Sequence, residues 1–270
     1  MKDAHQRFRA LTVALMLLLT ASFTVKAQET ELLSNLHDFR VNNFVALSAY
    51  YQFSATRATD VLNEVVAGIN NANASLNAVT ESEAGVFTDE QLATLTAQFD
   101  SFKALMRQNI NDVRESGYPD LRLVSEMANQ AQVLSDVSSD LYAIGRESLT
   151  SVTNPRIEAA RQAAVLMARM MSKYSARSYS SVSQTFQGSD TEAALDEQAL
   201  AFDALIDTLS AGDGNDEVKQ VIDGVATKWM FIRGSYINFN EDNVPFIIDR
   251  YSKGILEGLE QAIAMLRTNA

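Results

Sequence analysis

The chain has 270 residues, no cysteine, three prolines and a formal net charge of −12. This charge argues against binding to nucleic acid or to an anionic membrane, because phosphate groups attract basic proteins. The lack of cysteine excludes a disulfide framework, and with only two histidines we expect neither a transition-metal site nor another cofactor. Stability must therefore come from hydrophobic cores.

The first 27 residues have the layout of a secretory signal peptide. A short basic start, MKDAHQRFR, precedes the apolar run ALTVALMLLLTASFTV, and Val25 and Ala27 are small residues before Gln28. Cleavage near Ala27–Gln28 removes four basic residues and one acidic residue, so the net charge changes from −12 to about −15. A retained amphipathic anchor is the competing interpretation. No later stretch reaches the roughly 18 apolar residues of a membrane span, so we expect an exported, soluble, periplasmic protein.

Apolar residues recur at helical spacing through most of the remaining chain. The stripes run over 44–76, 92–113, 124–141, 157–174, 202–209, 218–232 and 248–266. Spacings of three and four residues are typical of helices that bury one face, and no alternating strand pattern of useful length occurs. We therefore predict an all-α fold of seven helices, arranged as one or more up-down antiparallel bundles.

Helix-start signals agree with this division. Pro119, Pro155 and Pro245 each fall where a helix would begin, because the amide that proline lacks has no partner in a first turn. Thr88 is followed three residues later by Gln91, which is the pattern of a capping box.

The helices divide into two modules, residues 28–150 and residues 151–270. YYQFSATR at 50–57 is loosely similar to MSKYSAR at 171–177. Each module also contains a Phe-Asp pair, Phe99-Asp100 and Phe202-Asp203. A tandem duplication is one interpretation, and the general likeness of amphipathic helices is the other.

The segment ARMMSKYSARSY at 168–179 carries a basic stripe in an acidic chain. Arg169 and Lys173 lie two positions from Met171, about 200° around a helix, and Arg177 lies one turn further along. The stripe therefore points away from the core of its own module. It is either a solvated surface or a face that meets a second chain or an anion, since guanidinium groups favour planar oxyanions.

The segment around this stripe resembles a known motif. Arg169, Met170, Met171 and Ser172 are similar to the Arg-Met-Leu-Ser of the type IV pilus methyl-accepting chemotaxis transducer N-terminal (PilJ-like) domain, which is related to the periplasmic helical domain of nitrate and nitrite sensor kinases. KWMFIRGSY and NVPFIIDRYSKGILEGL resemble that family's later helices, so the resemblance covers about 157–268. Leu166 and Tyr174 stand where the motif has glycine and its second arginine.

The resemblance implies a non-enzymatic sensor domain. In the sensor kinases an arginine of this helix binds a small anion at a symmetric dimer interface, which makes Arg169 the leading candidate for a ligand contact. Ser172, Lys173, Tyr174 and Arg177 are further candidates for ligand binding. We also expect homodimerisation through the helix from about 155 to 187, and a membrane receptor or signalling protein as a partner. The alternative is an envelope adaptor or scaffold without a small ligand.

Other chemical motifs are weaker. His37-Asp38 has the residue types of a base and its orienting carboxylate, but a surface histidine is expected, because no nucleophile accompanies the pair. Asp213, Asn215 and Glu217 have calcium-loop spacing but lack the loop's glycine and bidentate acid. Methionines 167, 170 and 171 are expected to be packing residues rather than copper ligands.

Overall fold

The computed structural model describes residues 31–148, 154–179, 193–211, 215–240 and 243–268. These residues form eight helices and no strand: α1 (residues 31–56), α2 (Thr59–Thr80), α3 (Asp89–Ser116), α4 (Leu121–Ser148), α5 (Pro155–Tyr179), α6 (Leu195–Ser210), α7 (Asp216–Ile237) and α8 (Pro245–Thr268). The predicted all-α helical bundle is confirmed. The predicted signal peptide lies outside the described residues. None of the helices just named is long and apolar enough to cross a membrane.

Helices α1 to α4 form a first bundle, residues 31–148, around their own hydrophobic core. Neighbouring helices are antiparallel: Lys103 of α3 donates to Asn73 of α2, and Gln130 of α4 donates to Gln98 of α3. The phenol of Tyr50 crosses the core from α1 to donate to Asn109 of α3 at 3.3 Å. Burial of the apolar stripes predicted from the sequence therefore organises four helices around one centre.

The turn between α1 and α2 corrects the sequence prediction, which treats residues 44–76 as one helix. The chain reverses at Arg57, whose φ of 55° is left-handed, and Ala58 begins the next helix. Gly68 of α2 then lies against Ala46 of α1, where an added Cβ would be 3.0 Å from the Ala46 Cβ. The apolar stripe continues through the turn and no glycine or proline marks it, so periodicity did not locate the reversal.

Helices α5 to α8 form a second bundle, residues 154–268, around a second core. α5 packs on α6 and α8, and α7 packs on α6 and α8, which closes a ring of four helices. Trp229 of α7 stacks on Phe202 of α6 with ring centroids 4.5 Å apart, and the Tyr236 phenol of α7 bonds Ser252 of α8 at 2.9 Å. Both bundles thus have the up-down arrangement expected from short connections.

Several predicted helix starts occur in the structure. Thr88 and Gln91 form the capping box, with reciprocal bonds between side chain and backbone. Pro155 and Pro245 are the first residues of α5 and α8. α4 starts two residues after Pro119, where Asp120 accepts from the Arg122 and Leu123 amides.

The two bundles meet through α1, α4, α5 and α8. Their contact layer is formed by residues 34–48 of α1, 135–142 of α4, 158–175 of α5 and 260–267 of α8. We call this layer the seam. Arg161 donates to Ser34, and Ser175 bonds Ser48 at 2.8 Å; both pairs are 127 residues apart in sequence. A constant separation over fourteen residues means that α1 and α5 run parallel and in register. α4 lies antiparallel to α5, since Ser135 and Tyr142 meet Arg169 and Glu158. α8 lies antiparallel to α1, since Ser34 meets Arg267 and the later Asp38 interacts with the earlier Glu260.

The bond between Ser48 and Ser175 places Leu-Ser-Ala at 47–49 beside Tyr-Ser-Ala at 174–176. The tandem duplication suggested by YYQFSATR and MSKYSAR stays a prediction, because a contact between neighbouring helices is not an alignment of repeats. Phe99 and Phe202 are both buried, but they lie in the third helix of one bundle and the second helix of the other. The Phe-Asp pairs therefore do not occupy equivalent helices.

Replacement of Gly68 by leucine should lower the free energy of unfolding by about 1–3 kcal/mol, because the new side chain must displace the α1 backbone at Ala46. Gly234 is the matched control, since it is also helical and an added Cβ there meets nothing within 4 Å. Gly234→Leu should be neutral or stabilising by up to about 1 kcal/mol. Urea denaturation of both variants measures the difference, and equal effects would contradict the close α1–α2 contact.

Candidate functional site in the seam

Arg169 lies in the seam, where it reaches the first bundle. Its guanidinium donates to the Ser135 hydroxyl of α4 at 2.9 Å and stands over the ring of Phe44 in α1, 5.3 Å from the ring centroid. The side chain thus points away from the core of its own bundle, as the helical spacing predicts. The face that it meets belongs to the same chain.

A second arginine, Arg40, lies beside Arg169 in the seam; its position was not predicted from the sequence. Arg40 of α1 donates to the Ser139 hydroxyl of α4 at 3.1 Å and stands 4.9 Å from the centroid of the Tyr142 ring. Ser135 and Ser139 are one turn apart, so α4 presents a row of hydroxyl groups to arginines of α1 and α5. Burial lowers the pKa of Arg40 to about 10, and the nearby charge of Arg169 acts in the same direction. Arg40 therefore remains cationic at neutral pH.

A buried ion pair lies about two to three helical turns from Arg169 in the seam. Arg161 donates to Glu158 at 3.2 Å, and both side chains are at most 10 % exposed. The Tyr142 phenol lies 2.9 Å from both carboxylate oxygens of Glu158 and accepts from Arg161 at 3.1 Å. Arg161 also donates to Ser34 of α1 at 3.0 Å. One network therefore connects α1, α4 and α5.

His37 corrects the expectation of a surface histidine. Its side chain is only 6 % exposed, and it faces the seam one turn before Arg40. Burial lowers the pKa of His37 to about 3, and the charges of Arg161 and Arg40 contribute. Apolar residues on both sides of His37 could have signalled burial, but the helical stripe alone did not assign this position to an interface.

Asp38 faces the α8 side of α1. Burial raises its pKa to about 6, the Glu260 carboxylate adds to the rise, and Arg161 and Arg267 oppose it. His37 and Asp38 therefore have different surroundings, because successive residues of a helix point about 100° apart.

The other four predicted site residues do not gather around Arg169. Lys173 donates to the Ala193 carbonyl before α6 at 2.7 Å, and Arg177 bonds Asn240 and stands 4.4 Å from the centroid of the Phe239 ring. Ser172 is buried and donates to the Arg169 carbonyl of its own helix. Tyr174 belongs to the second core and accepts from the Val244 amide at 3.0 Å. The three basic residues of the stripe therefore contact three different parts of the chain: Arg169 contacts α4, Lys173 the residues before α6, and Arg177 the residues after α7.

The helix expected to form a homodimer is already enclosed. Sixteen of the 25 residues of α5 are buried within the single chain. Its outer face contacts α1 and α4, as the bonds of Ser175 and Arg169 show. A second copy could reach this face only by displacing the first bundle.

The remaining sequence motifs have structural roles where they are described. Asn215 caps α7 by accepting from the Val218 amide, whereas Asp213 lies outside the described residues. Met167, Met170 and Met171 are buried, and the first two belong to the second core. Within the described ranges no group of three histidine or acidic side chains is placed to hold a metal ion.

Some signal for the missed residues was present in the sequence. VLSDVSSDLY at 133–142 places Ser135, Ser138, Ser139 and Tyr142 on and beside the apolar stripe of a helix. Polar groups at core-like positions indicate a buried partner. Arg161 follows Glu158 by three residues, which is the spacing of an ion pair on one helix. Arg40 has no comparable signal, because its partners Ser139 and Tyr142 lie on another helix.

Fold and site together define an all-α protein of two four-helix bundles joined by an arginine-rich seam. Comparison of the chain with protein-family models, with curated proteins and with solved structures finds no match.

Removal of Arg161 should be strongly destabilising, because it leaves the Glu158 carboxylate buried without its cationic partner. Arg161→Met should lower the free energy of unfolding by about 3–5 kcal/mol, and the double variant Arg161→Met/Glu158→Leu should lose less. Arg267→Met is the control, since Arg267 is exposed and donates to the same serine. Urea denaturation compares them; a double variant at least as unstable as Arg161→Met would contradict this account.

The neutral, buried His37 should make stability fall in acid. In the unfolded chain His37 is protonated below about pH 6.5, whereas in the folded protein it stays neutral down to about pH 3. This group therefore contributes full stability above pH 6.5 and loses it as pH falls, by at most about 1.4 kcal/mol per pH unit. Asp38 acts oppositely, because its raised pKa gives stability in acid that is lost as pH rises through about 6.

Denaturation between pH 4 and pH 8 separates the two groups. His37→Gln should flatten or reverse the acid loss, and Asp38→Asn should steepen it. Parallel curves for wild type and both variants would contradict the assignments.

Proposed function

We propose that this protein is an exported sensor-type helical protein that binds a small oxyanion in the seam and passes the signal to a membrane receptor or signalling partner. Arg169 and Arg40 are the principal ligand contacts, and Ser135 and Ser139 supply hydroxyl groups. Nitrate and nitrite are the first ligands to test, on the resemblance of the Arg169 segment to the PilJ-like domain.

The observation that carries this proposal is the concentration of arginine in the seam of an acidic protein. The chain has a net charge of −12, yet Arg40, Arg161 and Arg169 lie close together where the bundles meet. Glu158 is the carboxylate that pairs with one of them. Placing like charges side by side in a partly buried layer costs free energy unless an anion compensates them.

The chemistry of the contacts suits a planar oxyanion. Guanidinium groups present N–H donors in a fixed plane, and serine hydroxyls can rotate to donate or accept. Arg40 and Arg169 come from different bundles and both rest on α4. A ligand held by both would add a bond between the bundles, so occupancy would change how firmly they are joined.

A second candidate function is an envelope adaptor without a small ligand, and one surface favours it. Met230 and Phe231 of α7 and Phe246 and Ile247 of α8 are 40–76 % exposed. Phe231 stacks on Tyr251 of α8 with ring centroids 4.6 Å apart, and exposed apolar side chains of neighbouring helices are typical of protein-binding surfaces. A receptor could contact this face under either function.

Thermal unfolding with small oxyanions should reveal the ligand. Nitrate, nitrite and other small oxyanions are added to the purified chain at constant chloride and constant ionic strength. A ligand that binds only the folded state at a hundred times its Kd should stabilise the protein by about 2.7 kcal/mol. Arg169→Ala should abolish the shift. Arg177→Ala should retain it, because Arg177 lies on the same helix but contacts Asn240 and Phe239.

Loss of the shift in both variants would place the site elsewhere on α5. No shift with any oxyanion would overturn the ligand-binding function and favour the adaptor. The adaptor would then depend on the exposed face of α7 and α8.

A further inference from the structure

Buried nitrogen atoms without partners mark a second position in the seam. His37 Nδ1, Arg40 Nε and Arg161 Nε are inaccessible to solvent and form no hydrogen bond with a described residue. His37 and Arg161 are 6 % and 3 % exposed. Buried polar atoms are nearly always bonded in native proteins, so three such atoms in one layer require an explanation.

These three side chains lie in the same part of the seam. The Tyr142 ring is the common contact of both arginines, at 4.9 Å from Arg40 and 6.0 Å from Arg161. Ser34, His37 and Arg40 follow each other at one-turn intervals on α1, and Ser34 bonds Arg161. The charges of both guanidinium groups act on His37, so both lie near it.

Arg40 is the guanidinium group in this part of the seam that has no ion-pair partner among the described residues. Glu158 forms an ion pair with Arg161. The half-buried Asp38 carboxylate also interacts with Arg161, on the side of α1 that faces Glu260 and Arg267 of α8. Arg40 donates only to the neutral Ser139 hydroxyl, and the charge of Arg169 acts on it. A monovalent anion beside Arg40 would neutralise its charge.

We propose that His37, Arg40 and Arg161 form a second anion site that takes a halide-sized monovalent anion, such as chloride. Neutral His37 donates from Nδ1, and each arginine donates from Nε. The nearby hydroxyls are engaged, since Ser34 accepts from two arginines and Tyr142 bonds Glu158. A spherical ion needs no hydroxyl and can accept N–H donors from any direction. This position is distinct from the proposed oxyanion contacts at Arg169, Ser135 and Ser139, although Arg40 borders both.

Halide dependence of stability tests the site in the full chain. The protein is transferred to sodium gluconate, and chloride or bromide replaces gluconate at constant ionic strength. Tm should rise saturably, by about 3–6 °C at ten times the Kd. Crystals grown in bromide should show an anomalous peak within hydrogen-bond distance of His37 Nδ1.

Two substitutions at His37 give the matched control. His37→Phe removes the donor and should abolish the halide response, whereas His37→Gln keeps a donor and should retain part of it. Arg169→Ala should keep the halide response while losing the oxyanion response, so the two proposals fail separately. Equal Tm in gluconate and chloride, or no anomalous peak near His37, would overturn the halide site whatever the oxyanions do.

Discussion

The parallel contact of α1 with α5 is the constraint on which the rest of the structure depends. Each helix belongs to the core of its own bundle and also forms the contact with the other bundle. Ser48 and Ser175 fix the register at one end, and Ser34 and Arg161 fix it at the other. α1 and α5 each bury one face in the core of their own bundle and a second face in the seam. Polar side chains on the second face, which a single bundle would expose to solvent, are therefore buried. The arginines, the ion pair and the neutral histidine of the seam all follow from this double burial.

Along α5, the face that the resemblance assigns to a second copy is covered by α1 and α4 of the same chain. A helix that is apolar on one side and small or polar on the other is suited to a symmetric pair of chains. Here α1 takes the place of the second helix, and the two helices differ in sequence. Arg161 meets Ser34 rather than another arginine, and Arg169 meets Phe44 and Ser135. Any ligand in the seam therefore meets unlike surfaces from the two bundles.

Electrostatics and packing oppose each other in this layer. Hydrophobic burial of α1, α4, α5 and α8 draws the bundles together, whereas buried guanidinium groups favour separation unless they are paired. Glu158 and the phenol of Tyr142 compensate Arg161, and serine hydroxyls of α4 accept hydrogen bonds from Arg40 and Arg169.

The sequence by itself determined the local structure. Periodicity, prolines and the Thr88 capping box identify helices correctly, because a helix depends on residues three or four positions apart. It also determined that Arg169 points away from its own core. Only the tertiary structure decided what that face meets, where α1 reverses at Arg57, and that His37 is buried. Those features depend on contacts between residues separated by tens to more than a hundred positions, which no local pattern encodes. The tertiary structure likewise decided that Arg40 and Arg169 donate to neighbouring serines of α4.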